Sequence, residues 1–120
     1  MNRSDIAALT VDELVRRYAE AASAHQKASE RGDHKSANPE HDVVAAVYRE
    51  LRRRGEREAL LPLLAHAESA VRAWAGAHAL EFAPEEGERV LEEVAAEPGL
   101  VGFDAKMTLQ TWHEGNLRFP

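Results

Sequence analysis

The sequence has no cysteine, so neither disulfide bonds nor thiolate metal sites can contribute to its fold. The absence of cysteine fits a reducing compartment, and we expect a cytoplasmic protein. Long apolar runs are missing too, since no stretch offers about 18 uncharged apolar residues, the length that a membrane span needs. The N-terminal residues MNRSDIAALTVDEL lack the apolar segment of a secretory signal. We therefore expect a soluble, unprocessed chain without a membrane span.

Aromatic residues are scarce, at 6% of the 120 residues, which leaves alanine, leucine and valine to fill the interior. Hydrophobic residues at 44% and charged residues at 30% are ordinary for a globular protein. A chain of this length lies in the usual range for one domain. We predict a single domain over residues 1–120.

Basic residues are outnumbered by acidic ones, 15 to 21, and the formal net charge is -6. That sign argues against general affinity for nucleic acid, whose binding depends on neutralising phosphates. The charges are also segregated along the chain. Eight acidic residues lie from Glu81 to Asp104 against Arg89 alone, whereas five arginines lie between residues 49 and 57. These two stretches are the candidate working surfaces.

The strong periodic patterns in the chain are all helical. Thr10 and Glu13 have the spacing of a capping box, which predicts a first long helix from about Val11 to about Glu30. The pair Asn38-Pro39 resembles an N-cap followed by proline at the first helical position. A second helix is therefore predicted to begin at this proline.

Four further helices follow from the remaining patterns. We predict a short third helix over residues 57–65, a central helix over residues 70–81, and a fifth helix that opens at Pro84. Gly102 leads into a last helix that stops before Gly115. The predicted fold class is all-α, with about six helices.

The stretch of residues 60–80, LLPLLAHAESAVRAWAGAHAL, is the apolar centre of the chain. A shift of roughly thirty residues places its leucines over the apolar positions of the next helix, which is typical of stacked helix pairs. Its second half resembles a HEAT repeat, with Val71, Arg72, Ala75 and Leu80 at the matching positions. The resemblance implies a short right-handed HEAT-like α-solenoid, with its helices in three antiparallel pairs.

The whole chain also resembles a family of small bacterial HEAT-like domains of unknown function. The segments that carry this resemblance are LVRRYAEAA, ELRRRG, REALLPLL, VRAWA, APEEGERVLEEVAA and KMTLQTWHEGNLRFP. They extend over nearly all of the chain. The resemblance supplies no catalytic residues, and the loop RGDHKSANPEH departs from the family pattern.

Arg72, Trp74 and Trp112 are predicted to be structural. In HEAT-like repeats the arginine that matches Arg72 ties neighbouring turns together, here through Glu68 or Asp104. The two tryptophans lie among apolar residues at helical spacing, which favours a place in the core.

The histidines offer the first candidate chemistry. His34 and His41 flank a loop that also holds Asp33 and Asp42, so a site with nitrogen and oxygen ligands for a metal ion is conceivable. The chain has no HExxH or comparable ligand spacing, and we predict no metal site. His78 shares a helical stripe with apolar residues, which favours a hydrogen-bonded structural histidine over a catalytic base.

The carboxylates after the apolar centre offer the second candidate. Glu85, Glu88 and Glu92 share one helical face. This face is either merely solvated or an acidic surface for a basic protein partner. A hydrolase would instead need two carboxylates that converge in a cleft with shifted pKa values.

The arginine-rich stretch offers the third candidate. In a HEAT-like solenoid Arg49, Arg52, Arg53 and Lys106 would line the concave surface as a basic groove for nucleic acid. Interspersed glutamates can pair with these arginines at helical spacing, and no aromatic side chains interleave with them to stack bases. Binding of nucleic acid is therefore the weaker hypothesis.

Taken together, these patterns favour a scaffold without enzymatic activity or cofactor that binds another protein. Its partner would have a basic surface, as a toxin blocked by an immunity protein can have. Nucleic-acid binding through the basic groove is the alternative, and a small hydrolase is a third possibility. The sequence does not predict the oligomeric state.

Overall fold

The structure is a computed structural model that describes residues 3–120. Over these residues the chain forms six α-helices and one 3₁₀ helix, with no β-strand, so the all-α prediction is confirmed. The elements are α1 (Arg3–Ala7), α2 (Val11–Glu30), α3 (His34–Arg53), the 3₁₀ helix (Arg57–Ala65), α4 (Ser69–Ala79), α5 (Pro84–Ala95) and α6 (Gly99–His113).

The backbone divides into two compact units. The first unit comprises residues 1–60 together with Pro120, and the second comprises residues 61–119. The predicted single domain over residues 1–120 stays a prediction, as do the right-handed HEAT-like solenoid and its three antiparallel pairs.

In the first unit, α2 packs against α3, and α1 packs against α3. The core between α2 and α3 contains Leu14, Tyr18, Val47, Tyr48 and Leu51, all completely buried. Each large apolar side chain removed from water in this way stabilises the fold by about 1.5–3 kcal/mol. Burial also raises the pKa of the Tyr18 phenol well above its ordinary value, and Tyr48 adds to the effect.

The first long helix has the ends that its sequence predicts. Thr10 Oγ1 accepts a hydrogen bond from the Glu13 N–H at 3.1 Å, and the Glu13 carboxylate accepts one from the Thr10 N–H at 2.9 Å. This reciprocal pair satisfies two backbone donors that a helix start leaves free. The capping box and both ends of α2, at Val11 and Glu30, are therefore confirmed.

The predicted start of the second helix is wrong, because α3 begins at His34 rather than at Pro39. Asp33 is the N-cap, and its carboxylate accepts a hydrogen bond from the Ser36 N–H at 3.2 Å. Pro39 lies in the second turn, where its missing N–H costs one helical hydrogen bond, to the carbonyl of Lys35. The aspartate cap and the apolar contacts further along α3 outweigh that local preference.

The predicted third helix is present over Arg57–Ala65, and it is a 3₁₀ helix with Pro62 inside it. The central helix ends at Ala79, two residues before the predicted end, and α5 opens at Pro84 as predicted. The last helix already begins at Gly99, three residues before Gly102.

In the second unit, α5 packs against both α4 and α6. Its core consists of apolar residues from the end of α4, from α5 and from α6: Leu80, Val90, Leu91, Val94, Ala95, Ala105 and Leu109. Glycine brings α4 and α5 into close contact, since a Cβ added at Gly87 would lie 2.6 Å from the Gly76 carbonyl oxygen. The close approach of these two helices therefore depends most on Gly87.

Candidate partner-binding site

The acidic residues of α5 form a regular row, and the local sequence explains why. Pro84 occupies the first helical turn without loss of a backbone bond, and Glu85 and Glu86 lie at the positive end of the helix dipole. Val90 and its apolar neighbours turn inward, so the opposite face must carry the charged residues. We call Glu85, Glu88 and Glu92, spaced by three and four residues, the acidic stripe.

The acidic stripe borders α6. Glu85 and Glu92 are exposed, whereas the Glu88 side chain is 34% exposed and its carboxylate lies 2.8 Å from His113 Nε2. His113 is the last residue of α6. This contact therefore places the acidic stripe on the side of α5 that is next to α6.

The second unit carries the whole net charge of the chain. Residues 61–119 contain ten acidic side chains and four arginines or lysines, a balance of -6. The remaining residues contain eleven of each sign and balance to zero. The surface of the second unit thus has the potential that would attract a cationic partner.

Next to the acidic stripe, α6 exposes large apolar side chains. Leu100 is 40% exposed, Phe103 59% and Met107 41%. Their spacing of three and four residues puts them on one helical face, which we call the apolar stripe. Sequence reasoning missed this stripe, because the spacing groups the three side chains on one face of α6 but does not say which of its two apolar faces is covered.

The predicted basic residues of α3 are engaged within the first unit. The buried Glu50 carboxylate accepts hydrogen bonds from Arg53 Nε at 3.0 Å and from Arg54 Nε at 2.6 Å. These two guanidinium groups lower the pKa of Glu50 to about 2. Arg54 also donates to the carbonyl oxygen of Ala7 at 3.1 Å. Part of the arginine cluster therefore serves to compensate a buried carboxylate.

The other members of the predicted basic groove have different surroundings. The Arg52 guanidinium lies 5.5 Å from the centre of the Tyr48 ring and donates to the Pro120 carbonyl. Arg49 is exposed, and Lys106 is an exposed residue of α6, in the second unit. Of the four residues predicted to line a basic groove, Arg49, Arg52 and Arg53 thus lie on α3 in the first unit, whereas Lys106 belongs to the second unit.

Arg49 and Arg53 line a cleft of about 570 Å³ in the first unit. Asp42 and Glu50 line the same cleft, together with Ile6 and other apolar atoms. Both oxygens of the Glu50 carboxylate already accept hydrogen bonds from arginines. The two carboxylates offset the two guanidinium groups, so the cleft does not present the uniform positive charge that a phosphate backbone requires.

Arg72 joins the start of α4 to the end of α5. Its Nη1 donates to the His66 carbonyl oxygen at 2.7 Å, and its Nη2 donates to Ser69 Oγ at 3.0 Å. The same Nη2 lies 3.1 Å from Glu97 Oε2, while Ser69 Oγ donates to Glu97 Oε1 at 2.6 Å. The carboxylate that binds Arg72 here is Glu97, which sequence reasoning did not single out.

The aromatic residues predicted as structural lie in the second unit and are partly buried. Trp74 lies beside His78, with ring centres 5.9 Å apart, and His78 is only 5% exposed. Trp112 packs against the core of the second unit. The structural role of Trp74, Trp112 and His78 stays a prediction.

The histidine-containing loop becomes part of α3. Asp33 caps that helix, and the hydrogen bonds from Ser36 lower the pKa of its carboxyl group. His41 Nδ1 lies 3.6 Å from Asp42. Within residues 3–120 no group of three or more histidine, aspartate or glutamate side chains converges as metal ligands would.

None of the helices described for residues 3–120 combines the length and the apolar character that a bilayer crossing demands.

The fold is similar to that of the protein RPA1889 from Rhodopseudomonas palustris CGA009, known from its crystal structure, with a TM-score of 0.88 and 24% sequence identity. The similarity covers 96% of this chain and 98% of that one, and at this identity it shows the fold alone. No curated protein matches the chain. Residues 12–112 match the family described as "Domain of unknown function (DUF2019)", and the chain therefore belongs to that family.

Proposed function

We propose that this protein is a non-enzymatic scaffold that binds another protein, and that the acidic stripe receives a basic surface of that partner. The observation that carries the proposal is the concentration of charge, because residues 61–119 hold the entire net charge of -6. Glu85 and Glu92 are exposed on α5. Complementary charge accelerates the encounter of two proteins and excludes partners of the wrong sign.

The engagement of the arginines makes nucleic acid the weaker candidate ligand. Glu50 compensates Arg53 and Arg54, and Arg52 interacts with Tyr48 and Pro120. A nucleic-acid site needs cations that are free to replace the counterions of phosphates. The first unit also has as many acidic as basic side chains. A titration with labelled DNA and RNA at low salt tests this alternative directly.

Within residues 3–120, neither the acidic stripe nor Glu50 supplies the pair of carboxylates that the hydrolase alternative needs. The members of the acidic stripe lie along the outer face of one helix, so they do not converge on a common point. Glu50 has a pKa far below the working pH, and both of its oxygens are occupied by hydrogen bonds from arginines. A general acid or base needs a pKa near the working pH and access to substrate.

The finer form of the proposal is a cytoplasmic HEAT-like solenoid that acts as an immunity-type protein and blocks a basic toxin. Support comes from the Val71 and Arg72 pattern of α4, together with the way Arg72 ties the start of α4 to Glu97. The acidic stripe would then cover the basic surface of such a toxin. The immunity-type proposal and the broader proposal of a protein-binding scaffold both make the acidic stripe the interaction surface.

The test uses two charge-reversal variants that change the net charge equally. Glu85→Lys/Glu92→Lys removes the acidic stripe, whereas Glu20→Lys/Glu56→Lys alters exposed glutamates of the first unit. Each tagged variant and the wild type are used to capture partners from the source cells, and captured proteins are then purified and titrated. A partner retained by the wild type and the control variant, but lost with Glu85→Lys/Glu92→Lys, is the expected result.

The reconstituted complex must also weaken as salt is added, because exposed charges are screened. Equal binding by both charge-reversal variants would show that net charge or another surface is responsible. Failure to recover any protein with salt-sensitive binding would contradict the proposed function.

A further inference from the structure

Helix α6 is apolar on two opposite faces. Its inner face carries Gly102, Ala105 and Leu109, which are buried, and the last two belong to the core of the second unit. Its outer face carries the apolar stripe, in which Phe103 is 59% exposed. A helix that is hydrophobic around most of its circumference normally packs on more than one side. The apolar stripe is therefore a surface that can bind a partner.

Acidic groups flank the apolar stripe. Asp104 of α6 lies four residues after Leu100, and Glu114, the residue that follows the end of α6, lies two turns after Met107. On the other side, the contact of 2.8 Å between His113 and Glu88 brings the acidic stripe of α5 alongside α6. Lys106 is the single lysine or arginine of α6. An exposed apolar strip with predominantly acidic borders thus runs along α6.

This pattern of charge distinguishes between the possible occupants of the apolar stripe. A second copy of the chain would bring identical acidic borders together in a symmetric interface, and like charges repel. A membrane surface with anionic lipids attracts helices that have basic borders, not acidic ones. A segment with an apolar face and basic borders complements the surface on both counts.

We infer that the surface formed by the apolar stripe and the acidic stripe binds a cationic amphipathic helix of a partner protein. The inference rests on the proposed function and specifies which element of the partner is recognised. Leucine-like side chains of the partner would cover Leu100, Phe103 and Met107, while its lysines and arginines would face the carboxylates. From Leu100 to Glu114 the surface is about 21 Å long, which corresponds to about four helical turns of the partner.

The probe is a fluorescein-labelled peptide of about 18 residues, with leucine at helical spacing of three and four residues and lysine at the bordering positions. A second peptide has glutamate in place of every lysine. Binding to the purified full chain is measured by fluorescence anisotropy at two salt concentrations. We expect the lysine peptide to bind more tightly at low salt and the glutamate peptide not to bind.

Substitutions then separate the two stripes. Phe103→Ser/Met107→Ser changes exposed side chains, so circular dichroism and the unfolding temperature should stay close to the wild type, while peptide affinity falls about tenfold or more. Phe103→Leu, which keeps an apolar side chain, should retain most of the affinity. Glu85→Lys/Glu92→Lys should weaken binding and remove most of its salt dependence, and Glu20→Lys/Glu56→Lys should not.

The possible failures are distinguishable. If Glu85→Lys/Glu92→Lys weakens peptide binding and Phe103→Ser/Met107→Ser does not, the acidic surface stands and the inferred helix site is wrong. If neither variant has an effect, or if the glutamate peptide binds equally well, the inferred helix site is wrong, and the proposed function is decided separately by the capture of a partner with the wild type and Glu85→Lys/Glu92→Lys. A dimer in analytical ultracentrifugation that Phe103→Ser/Met107→Ser dissociates, or sedimentation with phosphatidylglycerol-containing vesicles, would identify a different occupant and overturn the inference.

Discussion

Replacement of Glu50 by glutamine should destabilise the first unit in a way that depends on pH. Glu50 is only 8% exposed, and its two oxygens accept hydrogen bonds from Arg53 and Arg54. Glutamine has nearly the same shape, so Glu50→Gln removes the negative charge without leaving a cavity. Three charge-assisted hydrogen bonds, two from Arg53 and one from Arg54, are then lost or weakened, and a buried amide must face two guanidinium groups.

The magnitude follows from the pKa of Glu50, which is lowered from 4.5 to about 2. By linkage, such a difference corresponds to at most about 3 kcal/mol in the free energy of unfolding. The Arg53 side chain is 67% exposed, and solvent screens its attraction, so we reduce the expected loss for Glu50→Gln to about 1–2 kcal/mol near neutral pH.

The pH dependence has a definite sign. Because the folded-state pKa of Glu50 lies below its unfolded value of 4.5, its contribution is complete above that pH and is lost as the pH falls towards about 2. The difference in unfolding free energy between the wild type and Glu50→Gln should therefore shrink across this interval. Urea unfolding followed by far-UV circular dichroism at several pH values measures it.

The exposed Glu20 provides a matched control, since Glu20→Gln removes the same charge from α2. We expect this variant to differ from the wild type by less than about 0.5 kcal/mol at every pH. The reasoning is refuted if Glu50→Gln is as stable as the wild type near pH 7, or if its deficit is the same at acidic and neutral pH.

Two further predictions concern the second unit. Gly87→Ala should lower the unfolding free energy by about 2–4 kcal/mol, because its Cβ would lie 2.6 Å from the carbonyl oxygen of Gly76. Gly76→Ala, whose Cβ would lie 3.3 Å from the nearest side-chain atom, should cost less; the opposite order in thermal denaturation would contradict this packing. Arg72→Lys should cost about 1–2 kcal/mol, since lysine cannot bind the His66 carbonyl, Ser69 and Glu97 together. A urea midpoint equal to that of the wild type would show that this tie contributes nothing.

Local signals made some elements of the fold predictable. The capping box at Thr10 and the proline at the start of α5 involve residues within one helical turn, and both helices begin where predicted. The start of α3 failed because two local signals compete. Asp33 and Pro39 can each mark a helix start, and only the packing of the complete helix decides between them.

The candidate site was predictable only in part. The spacing of Glu85, Glu88 and Glu92 is enough to put them on one face of a helix. The pairing of Arg72 with Glu97 joins residues that are 25 positions apart, so it depends on how α4 and α5 pack. The exposure of Phe103 was equally out of reach, because α6 has apolar residues on two faces and the sequence does not say which one is covered.

The distribution of the aromatic residues gives the molecule two separate spectroscopic reporters. Both tyrosines, Tyr18 and Tyr48, are buried in the first unit, and both tryptophans, Trp74 and Trp112, belong to the second. Selective excitation of tryptophan therefore follows the second unit, where the proposed partner binds. The raised pKa of Tyr18 means that ionisation of its phenol in alkaline solution follows the opening of the first unit. Unfolding and ligand binding can thus be monitored for each unit without any added label.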